Sequence, residues 1–254
     1  MSAPLPLAGG PHSLFLDFDG TLVEFAATPD GVQPEPALRA LLERLLDRFD
    51  GAVAIITGRR IASIDALLAP LRLPVAGLQG LERRSADGVI HRPAAPAAWL
   101  VPLRTRLRAH VDTHPGLLLE DKEFSLALHY RVAPEHEAVT RRLLQALLTE
   151  RPSDARLLEG NCVFELRPGS SDKGTALEMF MAEAPFLGRC PIYLGDDDAD
   201  LPAVQAAQRH RGLAIAVGPR ITAQHRLSDP AAVRDWLETL AACGTTGALA
   251  AARR

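Results

Sequence analysis

Cysteine is scarce in this chain: three in 254 residues, Cys162, Cys190 and Cys243, odd in number and far apart. That excludes a disulfide framework and fits structural thiols in a reducing cytoplasm. Long apolar runs are missing too. No stretch approaches the ~18 uninterrupted apolar residues of a membrane span, and the N-terminus lacks the zones of a signal peptide. There is no long basic run, and a formal net charge of -3 gives neither a nucleic-acid footprint nor a polybasic membrane anchor. The expectation is a cytoplasmic, monomeric globular protein. At 254 residues it can bury a large core, as one elaborated domain or two smaller ones.

What is present is organised around residues 14–22, LFLDFDGTL. A short apolar run reads as a buried strand and stops near Asp17, because strand interiors seldom carry Asp. Gly20 lets the chain turn where a side chain would obstruct it. Ligands of open α/β sheets bind outside the carboxyl ends of the strands. Asp17 and Asp19 therefore stand at such an edge, two residues apart. Taken alone, they equally suit an Asx-turn that closes a strand.

Other segments supply matching groups. Residues 52–59, AVAIITGR, form a second apolar strand ending in a hydroxyl, a glycine and a guanidinium. Residues 171–174, SDKG, open a helix with Lys173 in its first turn, and 191–200, PIYLGDDDAD, are a third strand ending in an acidic cluster. In this order the segments resemble the four motifs of the haloacid-dehalogenase superfamily of phosphohydrolases. Residues 77–82 (GLQGLE), 120–131 (EDKEFSLALHYR) and 164–168 (FELRP) are similar to stretches of the trehalose-6-phosphate phosphatases. The resemblance spans roughly residues 13–218. It departs from the family at Ala199 and Leu201, where Thr and Glu are usual, and at Gln79, where His is common.

The chain order suits that resemblance. Leu38, Leu41, Leu42, Leu45, Leu46 and Phe49 recur at helical spacing between Pro36 and the stop at Asp50-Gly51. A strand follows at 52–57, so strand, helix and strand form a parallel βαβ unit. A helix at 60–69 and a strand at 74–78 come next, and 83–96, with Gly88, Pro93 and Pro96, reads as a linker. Then come a helix marked by Trp99, Leu103, Leu107 and Val111, strands at 117–120 and 124–131, a helix at 134–149, and a hairpin turning at 159–161. Residues 170–218 return to strand and helix alternation, 233–240 is helical, and the alanine-rich 244–254 is expected to fray. The expected fold class is α/β. It has a Rossmann-like parallel-sheet core, residues 1–92 and 170–254, with an inserted smaller α+β cap, residues 93–169.

Several carboxylates at one sheet edge repel one another and need a compensating cation. Magnesium suits oxygen ligands and bound phosphate. The resemblance puts a metal ligand at Asp196, and the expected set is Asp17, Asp19, Asp196 and Asp197. Asp198 and Asp200 equally suit an acidic helix start. The resemblance implies attack on phosphorus by Asp17, giving an aspartyl-phosphate, with Asp19 as acid and then base. Thr57 would hold phosphate oxygens and Lys173 would offset the growing charge. In the cap, alternation sets Phe124, Leu126, Leu128 and Tyr130 against Ser125, Ala127, His129 and Arg131, and likewise Cys162, Phe164 and Leu166 against Val163, Glu165 and Arg167. The polar face is either solvated or turned to a ligand. Glu120, Lys122, Arg131 and Glu165 match the family's sugar-contacting positions, with Arg59 a further contact and His129 an orienting group.

The implied activity is magnesium-dependent hydrolysis of trehalose 6-phosphate to trehalose and phosphate, and the implied partner is a small sugar phosphate. Another sugar phosphate, such as a sucrose or glycosyl-glycerate phosphate, stays open, since only cap residues separate them. A phosphoacceptor signalling domain is the non-enzymatic alternative. It needs neither the inserted cap nor Asp19, which would speed loss of its phosphate.

Overall fold

The computed structural model describes residues 10–149 and 154–242. The start of the N-terminal arm, Cys243 and the alanine-rich end lie outside them. The first layer is built from β1 (His12–Leu16), α1 (Pro36–Arg48), β2 (Val53–Ile56), α2 (Ile61–Leu67) and β3 (Val75–Gly77). In α1, Leu38, Leu41, Leu42 and Leu45 are buried on one face, as their spacing requires. Asp50 and Gly51 end it with φ of 50° and 80°, the left-handed turn that stops a helix.

The chain then departs from the expected linker. Residues 82–91 carry two further strands, β4 (Glu82–Arg84) and β5 (Ile90–His91), paired antiparallel at the edge of the core sheet. Three consecutive charged residues do not announce a strand, yet all three in β4 are buried. Each has a partner distant in sequence: Glu82 Oε1 accepts from Ile61 N–H at 2.5 Å, Arg84 grips Asp65 through two bonds of 2.8 Å, and Arg83 pairs with Glu183. Tertiary partners overrule local propensity here.

The insertion follows with α3 (Leu100–Asp112), β6 (Leu118–Asp121), β7 (Leu126–His129), α4 (Glu137–Thr149), β8 (Ala155–Gly160) and β9 (Val163–Pro168). Its sheet has the order β6-β7-β9-β8 and is antiparallel throughout. Leu126, Leu128, Tyr130, Phe164 and Leu166 pack one face onto Leu100, Leu103 and Leu107 of α3 and Leu144 and Leu147 of α4. The alternation read from the sequence is therefore the alternation that packs.

The chain re-enters the core as α5 (Lys173–Met181), β10 (Cys190–Gly195), α6 (Leu201–Arg209), β11 (Leu213–Val217), β12 (His225–Leu227) and α7 (Pro230–Ala242). Among the described residues the core sheet has eight strands, ordered β12-β11-β10-β1-β2-β3-β4-β5, and all but β4 and β5 run parallel. β1 lies between β10 and β2, so the carboxyl ends of all three open on one edge. A separate contact joins insertion and core: Phe124, in the turn between β6 and β7, packs on Leu78 and Leu81.

Candidate active site

β1 delivers Asp17 one residue past its end, where the backbone N–H still donates to Leu194 at 3.0 Å. The carboxylate is 4% exposed. Its Oδ1 accepts from Lys173 Nζ at 2.6 Å and its Oδ2 from Thr21 Oγ1 at 3.1 Å. Gly20 has φ of 85°, and a Cβ there would stand 2.5 Å from Asp196 Oδ2, so the turn needs glycine on both counts. Asp19 is gripped by Arg59, through Nε at 2.6 Å and Nη2 at 2.8 Å, while the same guanidinium donates to the Pro29 carbonyl at 3.0 Å. Thr57 sits one residue past β2, buried, with its hydroxyl accepting from the Arg59 N–H at 3.2 Å.

Lys173 opens α5. Asp172 caps that helix, accepting from Thr175 N–H at 2.7 Å while Thr175 Oγ1 accepts from the Asp172 N–H at 2.7 Å. This reciprocal box fixes the first turn, and the lysine reaches back from it to Asp17 and to Asp200 Oδ1, each at 2.6 Å. Asp200 is fully buried and lies at the centre of the acidic loop. It also accepts from Tyr193 Oη at 2.5 Å and from the backbone N–H groups of Asp196 and Asp197 at 2.9 and 3.0 Å. From the sequence alone, Asp200 suits a helix start as well as it suits a metal site. Asp198, by contrast, is exposed in that helix start.

One carboxylate oxygen from each of Asp17, Asp196 and Asp200 falls within 4.8 Å of the others. Burial, then Asp17, Asp200 and Asp197, push Asp196 up to about 10. Burial likewise raises Asp17, against the pull of Lys173, to about 7. Burial pulls the Lys173 ammonium down, but the surrounding Asp17, Asp200 and Asp197 outweigh it and hold it charged. Crowded hard oxygens of this kind fit a divalent cation, which would remove the repulsion. Asp19 and Asp197 lie outside the tight triple: the first is turned to Arg59, and the second accepts from Ala199 N–H at 3.0 Å.

The insertion roofs this edge. Glu165 accepts from Ser125 Oγ at 2.5 Å and faces Lys122 Nζ at 3.5 Å. Lys122 crosses to the core, donating to the Gly58 carbonyl at 2.9 Å. Glu120 takes His129 Nε2 at 2.8 Å. Burial raises the Glu120 carboxyl, but His129, Lys122 and Arg59 more than offset it and its pKa is lowered. Arg131 lies 4.7 Å over the Phe25 ring and donates to the Asn161 carbonyl at 2.8 Å. Glu120, Lys122, His129, Arg131 and Glu165 line one cleft together with Asp17, Asp19, Thr57, Arg59, Lys173, Asp196 and Asp197. Every site residue named from the sequence is brought to it. Arg167, placed by alternation on the same face, instead donates to its neighbour Pro168 at 3.2 Å. Sequence reasoning gave no role in the cleft to Phe25, Gln79, Asn161 and Val163, which line it as well.

A parallel-sheet core with an aspartate at its central strand end, a helix-borne lysine against it and an inserted antiparallel cap defines a haloacid-dehalogenase-like phosphohydrolase. The C-terminal domain of the C. albicans trehalose-6-phosphate phosphatase shares the fold, with a TM-score of 0.79 at 20% identity over 91% of this chain and 92% of that one. A trehalose-phosphatase family model matches residues 15–235. The trehalose-6-phosphate phosphatase of Escherichia coli is 38% identical over 244 residues, 94% of this chain and 91% of its own length. A probable trehalose-phosphate phosphatase of Sinorhizobium fredii is 39% identical over 215 residues, 85% and 81% of the respective chains. The chain belongs to the trehalose-phosphatase family and is a phosphoric monoester hydrolase. Among the described residues no helix is long and apolar enough to cross a membrane.

Proposed function

We propose that this chain hydrolyses trehalose 6-phosphate to trehalose and phosphate, with magnesium, through an aspartyl-phosphate on Asp17. The observation that carries the reading is the buried meeting of Asp17, Lys173, Asp196 and Asp200 directly beneath a cap lined by Glu120, Lys122 and Glu165. A carboxylate oxygen of Asp17 attacks phosphorus and the bond from phosphorus to the sugar oxygen breaks. Asp19 delivers a proton to that departing oxygen. It then takes a proton from the water whose oxygen attacks the aspartyl-phosphate and frees Asp17. Lys173 holds positive charge against the phosphoryl oxygens, and the Thr57 hydroxyl donates to one of them.

Asp17 and Asp196 keep lone pairs free for a cation, with Asp19 and Asp197 beside them. Asp200 is occupied by Lys173, Tyr193 and two backbone N–H groups, which suits it to hold the loop rather than the metal. Magnesium, when bound, supplies the positive charge that lets an anionic phosphate approach these carboxylates. Arg59 holds Asp19 in this structure, so a phosphorylated sugar that draws Arg59 to itself also releases Asp19 for proton transfer.

The test is phosphate release across a panel of sugar phosphates, with magnesium and with excess chelator. Trehalose 6-phosphate is expected to lead the panel, chelation to abolish activity and magnesium to restore it. Full activity in chelator, with no metal found bound, would end the metal reading, and a different leading substrate would end the assignment to trehalose.

A further inference from the structure

The turn at residues 78–80 combines unusual backbone with an unsatisfied side chain. Leu78, Gln79 and Gly80 have φ of 51°, 57° and 94° in succession, a left-handed run that residues other than Gly, Asn and Asp seldom adopt. It is imposed from outside: Leu78 N–H donates to the Arg59 carbonyl and Gln79 N–H to the Thr57 carbonyl, both at 2.9 Å. The turn is thus pinned to the loop that carries Thr57. Leu78 points into the apolar contact with Phe124, whereas Gln79 lines the cleft. Gln79 is only 8% exposed, and its Oε1 has no hydrogen-bond partner among the described residues. Its Nε2 lies against Gly58, so close that a Cβ there would stand 2.7 Å away, with Lys122 Nζ 3.9 Å from the same point. Buried polar atoms are almost always paired, so an orphaned acceptor at a cleft wall calls for a donor that comes with the ligand. Strained backbone, too, persists chiefly at ligand clamps and active sites.

The geometry points to Gln79 as a specificity-determining residue whose Oε1 accepts a hydrogen bond from a hydroxyl of the substrate's sugar. This rests on the sugar-phosphatase reading given above. The chemical class follows from which groups can reach Oε1 with a proton. A dianionic phosphate has no proton to give, so it cannot satisfy Oε1. The ammonium groups of the cleft are aimed elsewhere, Lys122 at Gly58 and Glu165 and Lys173 at Asp17 and Asp200, and neither bonds Oε1. A sugar offers one hydroxyl that donates to Oε1 and a neighbouring one that accepts from Nε2. Gln79 therefore reads the neutral ring and leaves the phosphate to Thr57 and Lys173.

The experiment measures kcat/KM for wild type, Gln79→Met and Gln79→Asn on trehalose 6-phosphate, its monodeoxy analogues and a small aryl phosphate, with thermal melts beside them. Met keeps the length and removes both polar atoms. Asn tolerates the left-handed backbone and withdraws the amide, so it answers the question even where Met fails to fold. Both variants are expected to lose about tenfold or more on trehalose 6-phosphate, and at least about fivefold more than they lose on the aryl phosphate. One monodeoxy analogue should cost wild type the same factor and cost the variants nothing further, as two changes to one contact must. Equal losses on sugar and aryl phosphates would make Gln79 merely structural and overturn the assignment. Losses that add for every analogue would also overturn it, leaving a trapped water as the donor. Wild type that cleaves the aryl phosphate but not trehalose 6-phosphate sinks the substrate reading itself, a result distinct from either.

Discussion

In the proposed reaction the chemistry turns on Asp17, which follows the central strand directly and accepts from Lys173 and Thr21. Asn at this position keeps the shape and the Thr21 contact but cannot act as nucleophile. Asp17→Asn is expected to melt like wild type and to lose nearly all turnover; retention of a tenth of the activity would move the nucleophile elsewhere. Asp196→Ala should raise the magnesium needed for half-maximal rate more than Asp198→Ala, whose side chain is exposed. Equal magnesium titrations would remove Asp196 from the metal site. Asp17, Asp19, Thr57 and Lys173 were legible because each closes an apolar strand or opens a helix, a break in pattern that sequence displays. The part played by Asp200 was not. Its partners Lys173 and Tyr193 lie on α5 and β10, and only the fold reveals what a carboxylate is bonded to. Gln79 was visible solely as a departure from the family.

At the scale of elements, the first turn of α5 aims Lys173 at Asp17 and Asp200, the cation of the proposed reaction. Loss of a capping carboxylate typically costs ~1 kcal/mol. Asp172→Ala is expected to lower stability by about that much and to reduce kcat on sugar and aryl phosphates alike, since Lys173 serves both. A melt shifted without any change in kcat would show that Lys173 is aimed by Asp17 and Asp200 alone. The cap strands and the turn after β6 make a different demand. Glu165→Ala and Lys122→Ala should each lose about tenfold to a hundredfold in kcat/KM on trehalose 6-phosphate, the cost of a buried partner left unpaired. On an aryl phosphate that cannot reach the cap the loss should be much smaller. Equal losses would make the pair structural. The faces of these strands could be read by counting every second residue, which is why the polar face was found before the fold was known. β4 could not, because its charges are buried only through Asp65, Glu183 and the start of α2.

For the whole molecule, the acidic edge ties folding to pH. Burial, together with neighbouring carboxylates, holds protons on Asp17 up to about 7 and on Asp196 up to about 10, whereas the unfolded chain releases them near 3.8. Between those limits the folded, metal-free protein binds more protons than the unfolded one, so its stability falls as pH rises. In chelator, Tm is expected to decline from about pH 5.5 to about pH 9, and magnesium should flatten the decline while raising Tm. A Tm that climbs over that range without metal would contradict the buried repulsion.

The contact of Phe124 with Leu78 and Leu81 is an apolar part of the seam between cap and core, which Lys122 also crosses to the Gly58 carbonyl. Beside it, the Arg60 pair with Glu123 is only part-buried and adds little. Apolar burial weakens on cooling. A seam fastened in this way closes less firmly in the cold, while the bonds around Asp17 and Lys173 lose nothing comparable. Low temperature would therefore reach this enzyme first as a slackened hold on the sugar, before the phosphorus chemistry beneath it fails.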